Sequence, residues 1–168
     1  MALRYSKLQL KYDNLKSNWL ADYALRMPVR HIVFIPTVKW DVGMVVLNID
    51  DDRDDLDIFC DAIKEIDPAI NCVAKQSAEE AIQYLLQTDK LPSCIFLDIN
   101  MPLMGGKACL KEIKKNNKLS HIPIIMLSTT TNPTEIDEVK RMGADFMSKQ
   151  SIYSRYVSSL KQKIYHLR

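Results

Sequence analysis

Four apolar runs in this sequence are each followed by polar residues that could take part in one reaction. One run is followed by three consecutive acids, Asp50–Asp52, and another by Asp98, with Asn100 two residues further along. Two later runs lead to Ser128 and to Lys149. Carboxylates suit a hard divalent cation, while an ammonium and a hydroxyl can bind the oxygens of a transferring phosphoryl group. The combination indicates phosphoryl transfer, provided that the fold brings these places together.

The predicted strands and helices place these polar residues at one edge of a parallel sheet. From residue 44 onward, strand-like and helix-like segments alternate five times, which is typical of a parallel sheet with helices on both faces. The predicted strands are residues 45–49, 70–74, 94–97, 122–127 and 144–147. Ligands of such folds bind outside the carboxyl ends of the strands, which is where the polar residues follow.

Capping and breaking residues mark the predicted helices. Ser77 and Glu80 have the spacing of a capping box, and Pro68 should end the first helix. Pro133 suits the first turn of the fourth helix, and Gly143 suits its end. The side chains expected to face the core include Leu85 and Leu86 in the second helix, and Ile152, Tyr156, Leu160 and Ile164 in the last.

Composition and charge favour an ordinary globular protein. The chain has 168 residues, 47% of them hydrophobic, and a formal net charge of +2, which gives no sign of a nucleic-acid binder. Seven Lys or Arg and only three Asp or Glu fall in residues 1–43, so a basic leader precedes a mildly acidic body. We find no secretory signal and no apolar run long enough to span a membrane, so the cytoplasm is the expected location.

The cysteines are expected to be buried free thiols in a reducing compartment. None of the four forms a C-x-x-C pair, and two lie in strand-like apolar runs. They are Cys60, Cys72, Cys94 and Cys109.

The proposed reaction centre has one nucleophile. Asp98 would attack a phosphoryl donor and form an acyl phosphate. A bound Mg²⁺ would hold one phosphoryl oxygen, Lys149 a second, and Ser128 with nearby backbone N–H groups the third. The acids that follow the first strand are more ordinary, since such residues are usually a solvated first helical turn. They are Asp52, Asp54, Asp55 and Asp57.

Four stretches together resemble the receiver domains of two-component response regulators. They are Ile49–Asp52, Phe96–Gly106, Met126–Ser128 and Phe146–Lys149, and the resemblance covers about residues 45–166. It implies a flavodoxin-like α/β fold: a doubly wound five-stranded parallel sheet in the order 2-1-3-4-5, with five helices. Residues 1–43 would be an N-terminal extension, and residues 44–168 the receiver domain.

The resemblance also implies roles for individual residues. Asp98 resembles the phospho-acceptor, Lys149 the invariant lysine and Ser128 the switch hydroxyl. The implied Mg²⁺ ligands are Asp51 directly, Asp50 often through water, Asp98, and the backbone carbonyl of Asn100. Phe146 occupies the aromatic switch position, where a plain half-buried core aromatic is an equal alternative, and Gly106 matches a loop glycine.

One position departs from the family pattern. The family usually has proline after the lysine, commonly in a cis peptide, whereas this chain has Gln150. Because a cis bond before a non-proline residue costs about 2.5–4 kcal/mol, we expect a trans bond with a reshaped loop or a strained cis bond. The placement of Lys149 depends on the outcome.

Residues 1–43 leave two interpretations open. They could form a structured extension, with Leu8, Tyr12 and Leu15 at helical spacing, or they could be foreign to a domain that begins naturally at Met44. His31 is given no functional role.

Three rival functions are each disfavoured by particular residues. A haloacid-dehalogenase-type phosphatase needs a second Asp two residues after its nucleophile, where this chain has Asn100. A flavodoxin would place its flavin phosphate against Asp50–Asp52, which would repel it. A pseudo-receiver that only binds partners would be expected to lack Asp51, Asp98 or Lys149, and all three are present.

The resemblance therefore implies a single-domain regulator or relay intermediate, not an enzyme with another substrate. Its phosphodonor would be a histidine kinase or a histidine phosphotransfer protein. Its output would be a protein contact through helix four, strand five and helix five, with neither nucleic acid nor membrane as partner. Exposed candidates on that face are Lys140, Arg141, Tyr153 and Arg155.

Overall fold

The computed structural model describes residues 43–166 of the chain. Both interpretations of residues 1–43 lie outside this range apart from Gly43. Within residues 43–166, no helix combines the length and the apolar character needed to cross a membrane.

Five short parallel strands form the centre of the domain. In chain order they are β1 (Val45–Ile49), β2 (Asn71–Lys75), β3 (Cys94–Asp98), β4 (Ile124–Ser128) and β5 (Asp145–Ser148). They pair in the order β2-β1-β3-β4-β5, as the resemblance to receiver domains implied. The central strands β1, β3 and β4 are buried along their whole length, because helices cover both faces of the sheet.

Five helices connect and flank the strands. They are α1 (Arg53–Ile66), α2 (Ala78–Gln87), α3 (Gly106–Lys115), α4 (Pro133–Arg141) and α5 (Tyr153–His166). Pro133 occupies the first turn of α4, and Gly143 follows α4 with φ +82°, as their types predicted. Ser77 caps α2 by accepting a hydrogen bond from the Glu80 N–H at 3.1 Å. The Glu80 carboxylate, however, accepts from the Gln76 N–H at 3.4 Å. A capping box would have it accept from the N–H of Ser77, one residue further along.

The sheet separates two apolar clusters. One side of the sheet packs with α2 and α3 around residues such as Leu97, Leu110 and Met126. The other side packs with α1 and α5 around Phe59 and Phe96, whose ring centroids are 5.0 Å apart. Both clusters hold the strands in register, so the strand ends meet along one edge.

Two side chains predicted to face the core do not. Leu86 is 59% exposed, because it lies on the outer side of α2 beside the buried Leu85. Ile152 is 52% exposed, because α5 begins one residue later, at Tyr153, and Ile152 belongs to the preceding turn. The remaining predicted core residues of α5 are buried: Tyr156, Leu160 and Ile164.

The expectation of four free thiols is wrong for one pair of cysteines. Cys60 in α1 and Cys72 in β2 form a disulfide, with their Cα atoms 5.6 Å apart. Cys94 and Cys109 are free and buried, and burial raises the pKa of each thiol to about 12. Since disulfides are uncommon in reducing compartments, the pairing removes one reason for expecting the cytoplasm.

Candidate phosphoryl-transfer site

The carboxyl ends of three strands bring the main candidate residues together. Asp50 directly follows β1, Asp98 is the last residue of β3, and Lys149 directly follows β5. The Lys149 N–H donates to the Ser128 carbonyl at 2.9 Å, which fixes the chain after β5 against the end of β4. Residues far apart in sequence therefore meet at one edge because the strands are parallel and in register.

Lys149 is the centre of this edge. Its Nζ lies 2.7 Å from Asp98 Oδ1, 2.7 Å from Asp50 Oδ2 and 2.7 Å from Asp55 Oδ2. Asp50 and Asp98 are buried, whereas the Asp55 side chain is 43% exposed. One ammonium thus faces three carboxylates, and this group of four side chains keeps an excess of negative charge.

Burial and these contacts shift the pKa values of the site residues in opposite directions. Burial disfavours the charged form of Lys149, but hydrogen bonds to Asp50, Asp55 and Asp98 outweigh it and raise the pKa of the ammonium well above its usual value. Burial also raises the pKa of Asp50, although Lys149 and the Asp52 N–H favour its charged form. Lys149 is therefore a permanent cation at neutral pH.

The loop after β3 orients the second oxygen of Asp98. The Asn100 N–H donates to Asp98 Oδ2 at 2.6 Å, while Lys149 binds Oδ1. Further along the loop, the Gly106 N–H donates to the Ile99 carbonyl at 3.0 Å. A Cβ on Gly106 would lie 2.0 Å from the Asp98 carbonyl oxygen, so α3 can approach the end of β3 only with glycine here. This gives a physical reason for the loop glycine that the sequence singled out.

Other predicted site residues are near the edge without joining this group. Asp51 is exposed, and within residues 43–166 it forms no ion pair with Lys149. The buried Ser128 hydroxyl accepts a hydrogen bond from the Thr130 N–H at 3.1 Å. Phe146 is partly buried and packs against the α2 and α3 side of the core.

The predicted metal ligands do not form a ready-made cluster. In the described part of the chain, no three His, Cys, Asp or Glu side chains are arranged as a metal site. The Asp50 and Asp98 carboxylates converge on the Lys149 ammonium, which occupies the point between them where a cation would be held. The donor set still fits a hard divalent cation, because it consists of carboxylate oxygens with an excess of negative charge.

The bond between Lys149 and Gln150 is trans, since residues 43–166 contain no cis peptide. Of the two outcomes expected from the sequence, the trans bond is the one found. Lys149 nevertheless reaches Asp98, so a cis peptide is not required to place the ammonium.

Sequence reasoning missed Asp55. It was expected to be a solvated acid in the first turn of α1, but its carboxylate contacts Lys149 across a sequence separation of 94 residues. Its neighbours Asp54 and Asp57 are exposed, as expected. The sequence carries no signal for this contact, because the rotation of α1 about its axis decides which of these acids faces the sheet edge.

Comparison with known proteins identifies the family. The model of the response regulator receiver domain matches residues 46–161. Stress response regulator protein 1 of Meyerozyma guilliermondii is 28% identical over 100 residues, covering 60% of this chain and 45% of that protein. Two-component response regulator ORR11 of Oryza sativa subsp. indica is 31% identical over 105 residues, covering 62% of this chain and 69% of that protein.

Solved structures share the fold. The phosphorylated cyanobacterial phytochrome response regulator RcpA superposes with a TM-score of 0.66 at 24% sequence identity, covering 74% of this chain and 92% of that chain. The Mn²⁺-bound form of response regulator Rcp1 superposes with a TM-score of 0.62 at 23% sequence identity, covering 72% of this chain and 91% of that chain. At such identities the likeness concerns the fold alone.

The chain spans less than half of the length of the first curated relatives that it matches, so their whole activities are not carried over. The match over residues 46–161 agrees with the strand order and with the acidic edge around Lys149. The chain therefore belongs to the response regulator receiver domain family of two-component signalling.

Proposed function

We propose that Asp98 accepts a phosphoryl group from a phosphohistidine donor, on a histidine kinase or a histidine phosphotransfer protein. The observation that carries the proposal is the 2.7 Å contact between Lys149 Nζ and Asp98 Oδ1 at the carboxyl edge of the sheet. A buried carboxylate beside a permanent cation can act as a nucleophile towards phosphorus while the cation offsets charge on the transferred group.

The proposed transfer is an in-line displacement at phosphorus. A bond forms between an Asp98 carboxylate oxygen and phosphorus while the bond from phosphorus to the donor imidazole nitrogen breaks, and the departing imidazole takes a proton from solvent. The Lys149 ammonium can then move from Asp98 to a phosphoryl oxygen, and the Ser128 hydroxyl is the candidate to bind another. The domain would catalyse only its own phosphorylation and dephosphorylation.

We assign the metal of this reaction as Mg²⁺. Receiver domains bind divalent metal, and the Mn²⁺-bound Rcp1 structure supports such an ion on this fold. Here Asp50, Asp51, Asp98 and the Asn100 carbonyl are the candidate ligands, with Asp51 turning in from its exposed position. When bound, the ion would supply positive charge to the acids and to the transferred phosphoryl oxygens.

The proposed output is a protein contact made by α4, β5 and α5. Four candidates on this face are exposed: Lys140, Arg141, Tyr153 and Arg155. Phosphorylation would shift a two-state equilibrium of this face and not create a new fold.

We place the reaction in the cytoplasm, where phosphohistidine donors would meet the domain, with Cys60 and Cys72 reduced if that compartment is strongly reducing.

The proposal is tested by incubating the full chain with acetyl phosphate and Mg²⁺ and measuring its intact mass. We expect a gain of one phosphoryl group, which Asp98→Asn abolishes because an amide cannot form the acyl phosphate. Chelation of the metal should also abolish it, whereas Asp54→Asn, which removes an exposed acid without a contact to Lys149, should not.

Two results would contradict the proposal in different ways. A mass gain that persists in Asp98→Asn would refute the assignment of the acceptor. A wild-type chain that gains no phosphoryl group from acetyl phosphate or from phosphohistidine would favour the alternative, a pseudo-receiver that acts only as a protein-interaction module.

A further inference from the structure

The three carboxylates that contact Lys149 have different roles in the proposed reaction. An ammonium has three protons, and Lys149 Nζ donates to Asp50 and Asp55 at 2.7 Å and forms an ion pair with Asp98 at 2.7 Å, so three carboxylates already surround it. A phosphoryl oxygen can bind Lys149 only when one of these carboxylates gives up its contact with the ammonium.

Two of the three partners change during phosphorylation. Asp98 becomes an acyl phosphate, whose negative charge lies on the phosphoryl oxygens and no longer on the carboxylate, and Asp50 is a candidate metal ligand. Asp55 belongs to neither group, because it projects from the first turn of α1 and is not among the candidate ligands. It is therefore the partner that can stay in place while the other two rearrange.

We propose that Asp55 is a positioning residue, whose carboxylate keeps the Lys149 ammonium directed at Asp98 and then at the phosphoryl group. The inference rests on the proposed function and adds a residue to the same site. Asp55 does not touch the reacting atoms, and it acts through Lys149.

The surroundings of Lys149 explain why such a partner is needed. The lysine side chain is 20% exposed, follows the end of β5 and precedes a trans peptide bond to the exposed Gln150. A flexible side chain at that place could turn its charge towards water once Asp50 and Asp98 no longer hold it. An acceptor supplied by α1 keeps the ammonium at the edge of the sheet.

A purely electrostatic role for Asp55 and a positioning role predict opposite changes in the rate of phosphorylation when Asp55 is removed. A carboxylate this close to the acceptor repels an anionic phosphodonor, so its removal would speed phosphorylation if charge alone mattered. Positioning predicts a slower reaction, because a misplaced ammonium no longer offsets charge on the transferred group. The sign of the rate change therefore separates the two roles.

The test compares Asp55→Asn with Asp54→Asn in the full chain. Both changes remove one negative charge from the first turn of α1, but only Asp55 contacts Lys149. With acetyl phosphate at saturating Mg²⁺, we expect the initial rate of phosphorylation to fall roughly tenfold in Asp55→Asn. The rate of Asp54→Asn should stay within about twofold of the wild type, and Asp55→Glu should restore part of the loss.

A second measurement does not depend on phosphorylation. The ¹⁵N signal of the Lys149 ammonium, assigned with Lys149→Arg, should be protected from exchange in the metal-free wild type and in Asp54→Asn. In Asp55→Asn the signal should move or broaden beyond detection, while the backbone amide spectrum outside α1 and the sheet edge stays unchanged.

The outcomes separate this inference from the function on which it rests. If the wild type is phosphorylated on Asp98 and Asp55→Asn reacts equally fast or faster, the positioning role is wrong and the proposed function stands. An unchanged Lys149 signal in Asp55→Asn overturns the role as well. If the wild type is not phosphorylated, the proposed function fails, and the role of Asp55 in it fails too.

Discussion

At the scale of single residues, the disulfide changes what is expected of the four cysteines. Cys60 and Cys72 are 12 positions apart and join α1 to β2, an edge strand of the sheet. The bond closes a short loop that contains the end of α1 and the turn into β2. It therefore restricts the unfolded chain as well as the two elements that it joins.

Removing this disulfide should lower the stability of the domain. We expect Cys60→Ser with Cys72→Ser, or reduction of the wild type, to decrease the free energy of unfolding by about 2–3 kcal/mol. Urea unfolding with and without reductant measures the change. The double variant should no longer respond to reductant, and a wild type that unfolds identically in both conditions would contradict the pairing.

The two remaining cysteines provide an internal control for the disulfide between Cys60 and Cys72. Cys94 and Cys109 are buried, and burial raises the pKa of each thiol to about 12, so both should resist alkylation in the folded protein. After unfolding without reductant, alkylation should label only these two.

Residues differ in how far the sequence could reveal their role. Asp98 and Lys149 could be placed at one site because each follows an apolar strand, and parallel strands end at the same edge. Asp55 could not, because its contact depends on the rotation of α1 about its axis. The pairing of Cys60 with Cys72 was also hidden, since it requires α1 to pack on β2 with both side chains facing each other.

At the scale of elements, the order and type of the segments could be predicted, and their ends less well. Apolar runs predicted the five strands, and apolar residues at helical spacing, with signals such as Ser77, Pro133 and Gly143, predicted the five helices. The exposed Leu86 and Ile152 show the limit, because apolar side chains near a helix end fit the helical spacing without facing the core. Which of them is buried depends on the neighbouring element and not on the helix itself.

The junction of β3 and α3 depends on one small residue. We expect Gly106→Ala to destabilise the domain by about 1–3 kcal/mol, because the added methyl group would lie 2.0 Å from the Asp98 carbonyl oxygen and must push α3 away from β3. Movement of α3 should also displace Asp98, so phosphorylation by acetyl phosphate should slow. Thermal unfolding and the intact-mass assay measure the two effects.

Gly105→Ala is the matched control for this prediction. Its added Cβ would meet its nearest neighbour, the Ile99 carbonyl oxygen, at 3.7 Å, which is an ordinary contact. Because Gly105 has an ordinary negative φ of −64°, alanine is also tolerated by the backbone. Equal destabilisation by both substitutions would show that close approach at Gly106 is not the cause.

At the scale of the whole molecule, folding gathers acids that are far apart in the unfolded chain. β1 and β3 bring Asp50 and Asp98 to the same edge, with Asp51 next to them, and Lys149 offsets only part of their charge. A divalent cation that binds at this edge binds the folded state, and the unfolded chain offers no equivalent site. Metal binding and folding should therefore be linked.

We expect Mg²⁺ to raise the unfolding temperature, with a stabilisation that grows logarithmically once its concentration exceeds the dissociation constant. At a concentration ten times its dissociation constant, the folded state should gain about 1.4 kcal/mol, and chelation should reverse the gain. Thermal unfolding across a Mg²⁺ titration measures it. Asp51→Asn should remove most of the effect because it removes a candidate ligand, whereas Asp54→Asn should keep it. If Asp51→Asn and the wild type respond equally to Mg²⁺, the ion is bound elsewhere or only by general charge screening, and the ligand assignment is wrong.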